Sequence, residues 1–217
     1  MNRAARLLTI SFAMGGTSAA WAATEESQAW MTEHVTIRAD QDNLVSIDSS
    51  QRARSDGRSG GEQFLARIGI DHRMTPAVQL GGGVAYLNSE VDQEMRLYQQ
   101  LTLTRGLWLS RTRVEQRFFD NASEASWRLR QRVQASVPVD RAKQWTLIAA
   151  GEFFFHLNRA RPGDRTGLAM MRHQIGIRHP IARAVDAQLL YMRQQNFREG
   201  RPDVVSHIPW LTLSWRL

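Results

Sequence analysis

From Val35 to the last residue the chain alternates apolar and polar side chains with a period of two, broken at fairly even intervals by short polar clusters. A period of two predicts strands, because successive side chains on a strand point to opposite faces. Val45-Ile47, Phe64-Ala66-Ile68-Ile70, Val78-Leu80-Gly82-Val84-Tyr86 and Leu97-Gln99-Leu101-Leu103 set an apolar face against Asp48, Arg52, Arg67, Asp71, Gln79, Gln100 and Thr102. The alternation continues through 108–118, Trp127-Leu129-Gln131-Val133-Ala135-Val137, Trp145-Leu147-Ala149-Gly151-Phe153 and Ala169-Met171-His173-Ile175-Ile177. Val185-Ala187-Leu189-Tyr191 and Leu211-Leu213-Trp215-Leu217 complete the series. Each segment suits the roughly 9–11 residues of a tilted membrane strand, and no amphipathic helix competes.

The connections alternate between tight and long. Tight ones fall near 39–43, 73–76, Arg105-Gly106, 140–143 and 180–183; longer, charged, Gly-containing ones fall near 55–61, 89–94, 120–124, 158–165 and 197–203. Short periplasmic turns and long extracellular loops mark outer-membrane barrels, so the long loops are expected to face outward. Trp30, Tyr86, Trp108, Trp127, Trp145, Tyr191 and Trp215 fall near strand ends, where an interfacial girdle places aromatics, although aromatics also fill sandwich cores.

The predicted fold is all-β: a single up-and-down antiparallel transmembrane β-barrel. With the 30–38 segment, whose alternation is poor because Glu33 shares a face with Val35 and Ile37, the direct count of strands is eleven. Bacterial single-chain barrels use even numbers, so the expectation is about 12 strands, with 10 as the alternative.

The ends of the chain set its location. Arg3 and Arg6 precede the apolar run Leu7-Leu8-Thr9-Ile10-Ser11-Phe12-Ala13-Met14, and Ala20-Trp21-Ala22 supplies a cleavage site. That three-part pattern predicts a signal peptide over 1–22 and a barrel domain over 23–217. No later apolar run is long enough for a spanning helix, which excludes a helical membrane protein. The absence of cysteine excludes a disulfide framework, a thiolate nucleophile and a Cys-based metal site. The formal charge of +7 falls to +5 once Arg3 and Arg6 leave, and it is almost entirely arginine, Lys143 being the only lysine. Export makes nucleic acid an unsuitable partner. Outer-membrane lipids, lipopolysaccharide, acidic small solutes and, during insertion, the barrel-assembly machinery are the expected ones.

Several segments resemble a bacterial family known as a domain of unknown function (DUF 2490). They are the Trp30 segment, Leu109-Ser110-Arg111-Thr112-Arg113-Val114-Glu115-Gln116-Arg117-Phe118, Trp127-Arg128-Leu129-Arg130-Gln131-Arg132, Glu152-Phe153-Phe154-Phe155-His156-Leu157-Asn158 and the last strand. The resemblance implies an exported outer-membrane barrel of a Gram-negative bacterium and no activity. The terminus departs from the usual barrel ending: Leu217 stands where an aromatic is customary, with Trp215 two residues earlier.

If Ser110, Thr112, Val114 and Phe118 face lipid, then Arg111, Arg113, Glu115 and Arg117 point into the lumen, as do Arg128, Arg130 and Arg132 of the next strand. The two segments are expected to pair as a hairpin, placing six arginines and one glutamate on one patch of inner wall. Unpaired buried cations are costly, so acids or bound anions must compensate. Glu152 is the nearest candidate acid, and Asp48, Asp71 and Asp186 face inward elsewhere. The patch is either an ion-pair network that fills a narrow barrel or a basic track that passes acidic solutes.

The expected function is therefore a non-catalytic barrel, structural or a small anion-preferring pore, with an outer-membrane lipid hydrolase as the alternative. No catalytic residue is assigned. Ser206 and His207 are sequence neighbours and point to opposite faces, His173 lies with Met171 and Ile175, and His179 stands beside Pro180. No His/Asp/Glu cluster has metal-ligand spacing, and no cofactor is implied: Gly81-Gly82-Gly83 lies within a strand, where it marks a bend or a close contact.

Overall fold

The computed structural model describes residues 23–54, 61–161 and 164–217. The expected signal peptide, 1–22, lies outside the described residues. The described residues form eleven strands and no helix: β1 (Thr24–Arg38), β2 (Asn43–Arg54), β3 (Gln63–Thr75), β4 (Val78–Ser89), β5 (Gln93–Arg105), β6 (Trp108–Phe119), β7 (Ser126–Pro138), β8 (Thr146–His156), β9 (Gly167–Ala182), β10 (Val185–Asn196) and β11 (Val204–Arg216). They close into one barrel in which every strand is antiparallel to the next in sequence.

Closure is made by β1 and β11, which pair in parallel with Trp30 opposite Trp210 and Val35 opposite Trp215. A meander with an odd number of strands begins and ends in the same direction, so its closing pair must be parallel. The expected twelve strands, or ten, are therefore eleven, and the barrel is antiparallel everywhere except at its seam. The eleven alternating segments correspond one for one to the strands. The weak alternation of β1 has a physical source, because Glu33 sits on the outer wall between Ser49 and Leu213.

The connections differ in detail from their expected bounds. The turns at 76–77, 106–107 and 183–184 are tight, but the 139–145 turn is as long as several loops, and the β4–β5 loop shrinks to 90–92. Asp140 organises the former, accepting hydrogen bonds from the backbone amides of Trp145 (2.8 Å) and Gln144 (3.2 Å). Pro180, expected at a turn, lies within β9 opposite Asp186, next to a register shift that accommodates a residue without an N–H. His179 likewise lies in β9, stacked on Trp145 with ring centroids 4.1 Å apart.

Burial is inverted relative to a water-soluble protein. Ile70, Ile175 and Leu189 on the outer wall keep 53%, 54% and 54% of their surface exposed, whereas Glu94, Glu115 and Glu152 keep 2%, 1% and 2%. Exposed Trp108 and Trp145 and half-buried Trp215 lie at the turn end, exposed Phe64, Tyr86, Phe118 and Trp127 lie towards the loop end, and exposed Tyr191 stands mid-strand opposite Ile175. Trp30 is not among them. It points into the lumen and is buried against Met192 and Ile208, with its ring edge on Trp210 at 5.6 Å.

Glycine shapes one stretch of inner wall. Gly69 and Gly83 face each other across β3–β4, and the Tyr98 hydroxyl occupies the space their side chains would take. A Cβ on Gly83 would stand 2.2 Å from the Ile68 carbonyl oxygen. The Gly81-Gly82-Gly83 run thus marks a close approach within a strand.

Candidate functional site: a basic lumen

The β6–β7 register sets Arg111 opposite Arg132, Arg113 opposite Arg130 and Glu115 opposite Arg128. Strand pleating turns all of these side chains inward, where they meet Arg117 and, from β8, Glu152. Like charges directly opposite repel, so the arginines reach diagonally to the few carboxylates. Glu115 accepts from Arg128 Nε (2.6 Å) and Arg130 Nη1 (2.6 Å), with Arg113 3.7 Å away. Glu152 accepts from Arg130 Nη2 at 2.7 Å, while Arg111, Arg132 and Arg172 lie at 3.7, 3.8 and 3.9 Å. Arg130 therefore joins the two acids into one network.

The sequence reading brought together the basic residues Arg111, Arg113, Arg117, Arg128, Arg130 and Arg132 with the acids Glu115 and Glu152, and the structure places all of them on one inner surface. Arg117, however, pairs with neither acid. Its guanidinium binds Glu94 of β5, which also holds Arg96 through two hydrogen bonds of 2.6 Å. The clear alternation of that strand begins at Leu97, and only its parity continued backwards turns Glu94 and Arg96 inward. The same parity in β9 puts Arg172 inside, between the outward-leaning Met171 and His173.

Of the other inward acids, Asp48 binds Arg67 Nε (2.8 Å) and His34 Nδ1 (2.7 Å), Asp71 accepts from Gln100 (2.7 Å), and Asp186 binds Arg216 (2.6 Å). Gln100 in turn accepts from Arg113 Nη2 at 2.6 Å. Guanidinium contacts to aromatic faces add to these bonds, among them Arg113 on Tyr98 (4.1 Å), Arg130 on Phe154 (4.6 Å), Arg172 on Phe154 (4.8 Å) and Arg52 on Trp30 (4.0 Å).

Side chains do not fill the interior. A cavity of about 700 Å³ runs beside the network. Its lining extends from Gln63, Asp92 and Arg161 at the loop end to Leu109, Gln134 and Ser214, Leu109 and Ser214 lying one residue inside Trp108 and Trp215. Among the described residues, twelve arginines line it against five carboxylates. At the loop end Arg161 crosses from the β8–β9 connection to Asp92 (2.6 Å) and lies 3.7 Å over the Phe119 ring, narrowing that mouth.

The histidines of the hydrolase alternative are dispersed. Ser206 points inward and donates to Glu26 (2.6 Å), whereas His207 points outward and bonds the Tyr191 hydroxyl (2.5 Å). His156 lines the cavity beside Arg117 at 3.4 Å, and His173 is exposed on the outer wall. No group of three or more metal-ligating side chains occurs among the described residues.

A family model described as "Protein of unknown function (DUF2490)" matches residues 27–205. An uncharacterized protein of Methylorubrum extorquens is 26% identical over 228 residues, covering 98% of both chains. A solved structure described under "Unveiling the Mechanism Behind the in-meso Crystallization of Membrane Proteins" shares 13% identity, covers 79% of this chain and 71% of its own, and superposes with a TM-score of 0.43.

Proposed function

We propose that this chain, which belongs to the DUF2490 family of proteins of unknown function, is a non-catalytic barrel of a Gram-negative outer membrane whose lumen admits small acidic solutes and disfavours cations. The observation that carries this reading is the twelve-to-five excess of arginine over carboxylate along one cavity that extends through most of the barrel's height. In a low-dielectric enclosure such an excess lowers the energy of an entering anion and raises that of a cation.

Membrane location is supported by the wall itself. Exposed isoleucine, leucine and valine form a band between aromatics at its two ends, an arrangement that costs free energy in water and none in hydrocarbon. Lipopolysaccharide and other outer-membrane lipids are then the partners of the wall, and the assembly machinery acts on the chain during insertion. The Arg–Glu network holds the β5–β8 side of the barrel rigid, leaving the cavity on the remaining side as the route.

Solute flux into vesicles tests the proposal. Vesicles containing the folded protein should take up glucuronate faster than glucose, and glucose faster than glucosamine. Equal rates for all three, or no uptake, would contradict it. The hydrolase alternative requires release of fatty acid from phospholipid by the same preparation, and none is expected.

A further inference from the structure

Arg52 is the lumen cation that the ion-pair network leaves out. It stands opposite Trp30 in the β1–β2 register, with its guanidinium 4.0 Å from the indole centroid. Among the described residues no carboxylate pairs with it, and its buried Nε has no acceptor from the protein. The charges acting on it most strongly are all of its own sign, Arg172 first. Arg172 reaches the same ring from β9 at 5.0 Å, fixed by its Nε bond to Gln194 (2.8 Å), with Glu152, already shared among other arginines, 3.9 Å from its Nη1.

Burying Arg52 beside a second guanidinium with no carboxylate of its own is unfavourable unless an anion completes the set. The wall next to them is apolar: Leu65 and Leu87 pair across β3–β4, are 8% and 4% exposed, and line the same cavity. Cation and apolar surface therefore adjoin at one end of a cavity whose opposite side is saturated with ion pairs.

We infer that Arg52, Arg172 and Trp30 form a binding site for a small carboxylate that carries an aromatic or aliphatic body. The carboxylate takes the Nε–H edge of Arg52 in the bidentate geometry that a guanidinium offers, and Arg172 supplies the second charge. The body lies against Leu65, Leu87 and the indole. The site rests on the proposed acidic-solute lumen and narrows its substrate class from anions in general to amphipathic acids.

Isothermal titration of the full-length protein, folded in detergent, with benzoate, acetate and benzyl alcohol tests the site without requiring conduction. Benzoate is expected to bind saturably, at least about tenfold more tightly than acetate or benzyl alcohol. Arg52→Gln is expected to weaken benzoate at least about tenfold, and Arg52→Lys to weaken it as well, because an ammonium keeps the charge but not the stacked, two-donor edge. Trp30→Leu is expected to weaken benzoate while leaving acetate unchanged, which keeps the test open if Arg52→Gln does not fold. Benzoate binding that is absent, matched by benzyl alcohol, or unaltered by the variants that fold would overturn the site. Selective flux without benzoate binding would sink the site and leave the lumen reading standing; benzoate binding without flux would do the reverse.

Discussion

Arg130 of β7 donates from Nη1 to Glu115 of β6 at 2.6 Å, and the contact is diagonal, because the register places Glu115 opposite Arg128. The offset lets one carboxylate serve Arg128 and Arg130 while Arg130 extends its other Nη to Glu152. Charge that would be repulsive pair by pair becomes a network when alternate rows are shifted.

Glu115→Gln removes the centre of this network and leaves Arg113, Arg128 and Arg130 mutually repelling in a buried site. A loss of about 3–5 kcal/mol in unfolding free energy is expected, the cost of breaking a buried pair on one side. Arg159→Ala, which breaks the exposed pair with Glu199 on the long loops, is expected to cost no more than about 1 kcal/mol. Urea unfolding from lipid vesicles measures both; equal effects would mean that the lumen network is solvated.

Gly83→Ala directs a methyl group at the Ile68 carbonyl oxygen, 2.2 Å away, and towards the Tyr98 hydroxyl. Backbone must move to admit it, so a loss of about 1–3 kcal/mol is expected. Gly151→Ala meets nothing closer than a Phe153 ring carbon at 3.9 Å and is expected to be tolerated. The same unfolding assay separates the two, and a neutral Gly83→Ala would show that Tyr98 does not pack on these strands.

These packed glycines illustrate how much of the molecule was legible in the chain. Alternation alone turned Arg128, Arg130 and Arg132 inward and paired them with Arg111, Arg113 and Glu115, because a hairpin's faces follow from parity. It could not set Arg172 against Trp30, since a contact from β9 to β1 depends on how many strands close the barrel, nor fix Arg52 opposite Trp30, since the weak alternation of the first segment left the β1–β2 register open. Trp30 itself reads as a rim residue by its place near a strand end, yet pairing with Trp210 at the parallel seam turns it inward. The expected strand count of about 12, or 10, came within one of the eleven observed: the eleven segments were visible, but evenness argued against them. Pro180 suggested a turn that the bulged end of β9 does not need.

Ile175→Arg tests whether the outer wall meets hydrocarbon. Ile175 is 54% exposed midway along β9. Against lipid the substitution is expected to cost about 2–4 kcal/mol near the midplane; against water it would lie within about 0.5 kcal/mol. Vesicle unfolding of the variant gives the answer directly.

Asp40 and Asp140 lie in turns outside the barrel strands. The Asn43 side-chain amide, then the backbone amides of Asp42 and Asn43, donate to Asp40 and hold its carboxyl below the ordinary 3.8; the Trp145 amide does the same for Asp140. A depressed carboxyl stabilises the fold fully above its unfolded value and loses that contribution as pH falls through its folded value. Asp140→Asn should therefore differ most from the parent at neutral pH, with the difference declining below pH 3.8 and vanishing only under the lower folded value. A difference that persists unchanged into acid would assign it to packing.

The reversal potential across a planar bilayer, with the folded protein inserted and a KCl gradient applied, bears most directly on the basic lumen. Chloride permeability above that of potassium is expected, reduced in Arg113→Ser and Arg130→Ser variants that insert. A cation-preferring potential, or a barrel that inserts and never conducts, would contradict it.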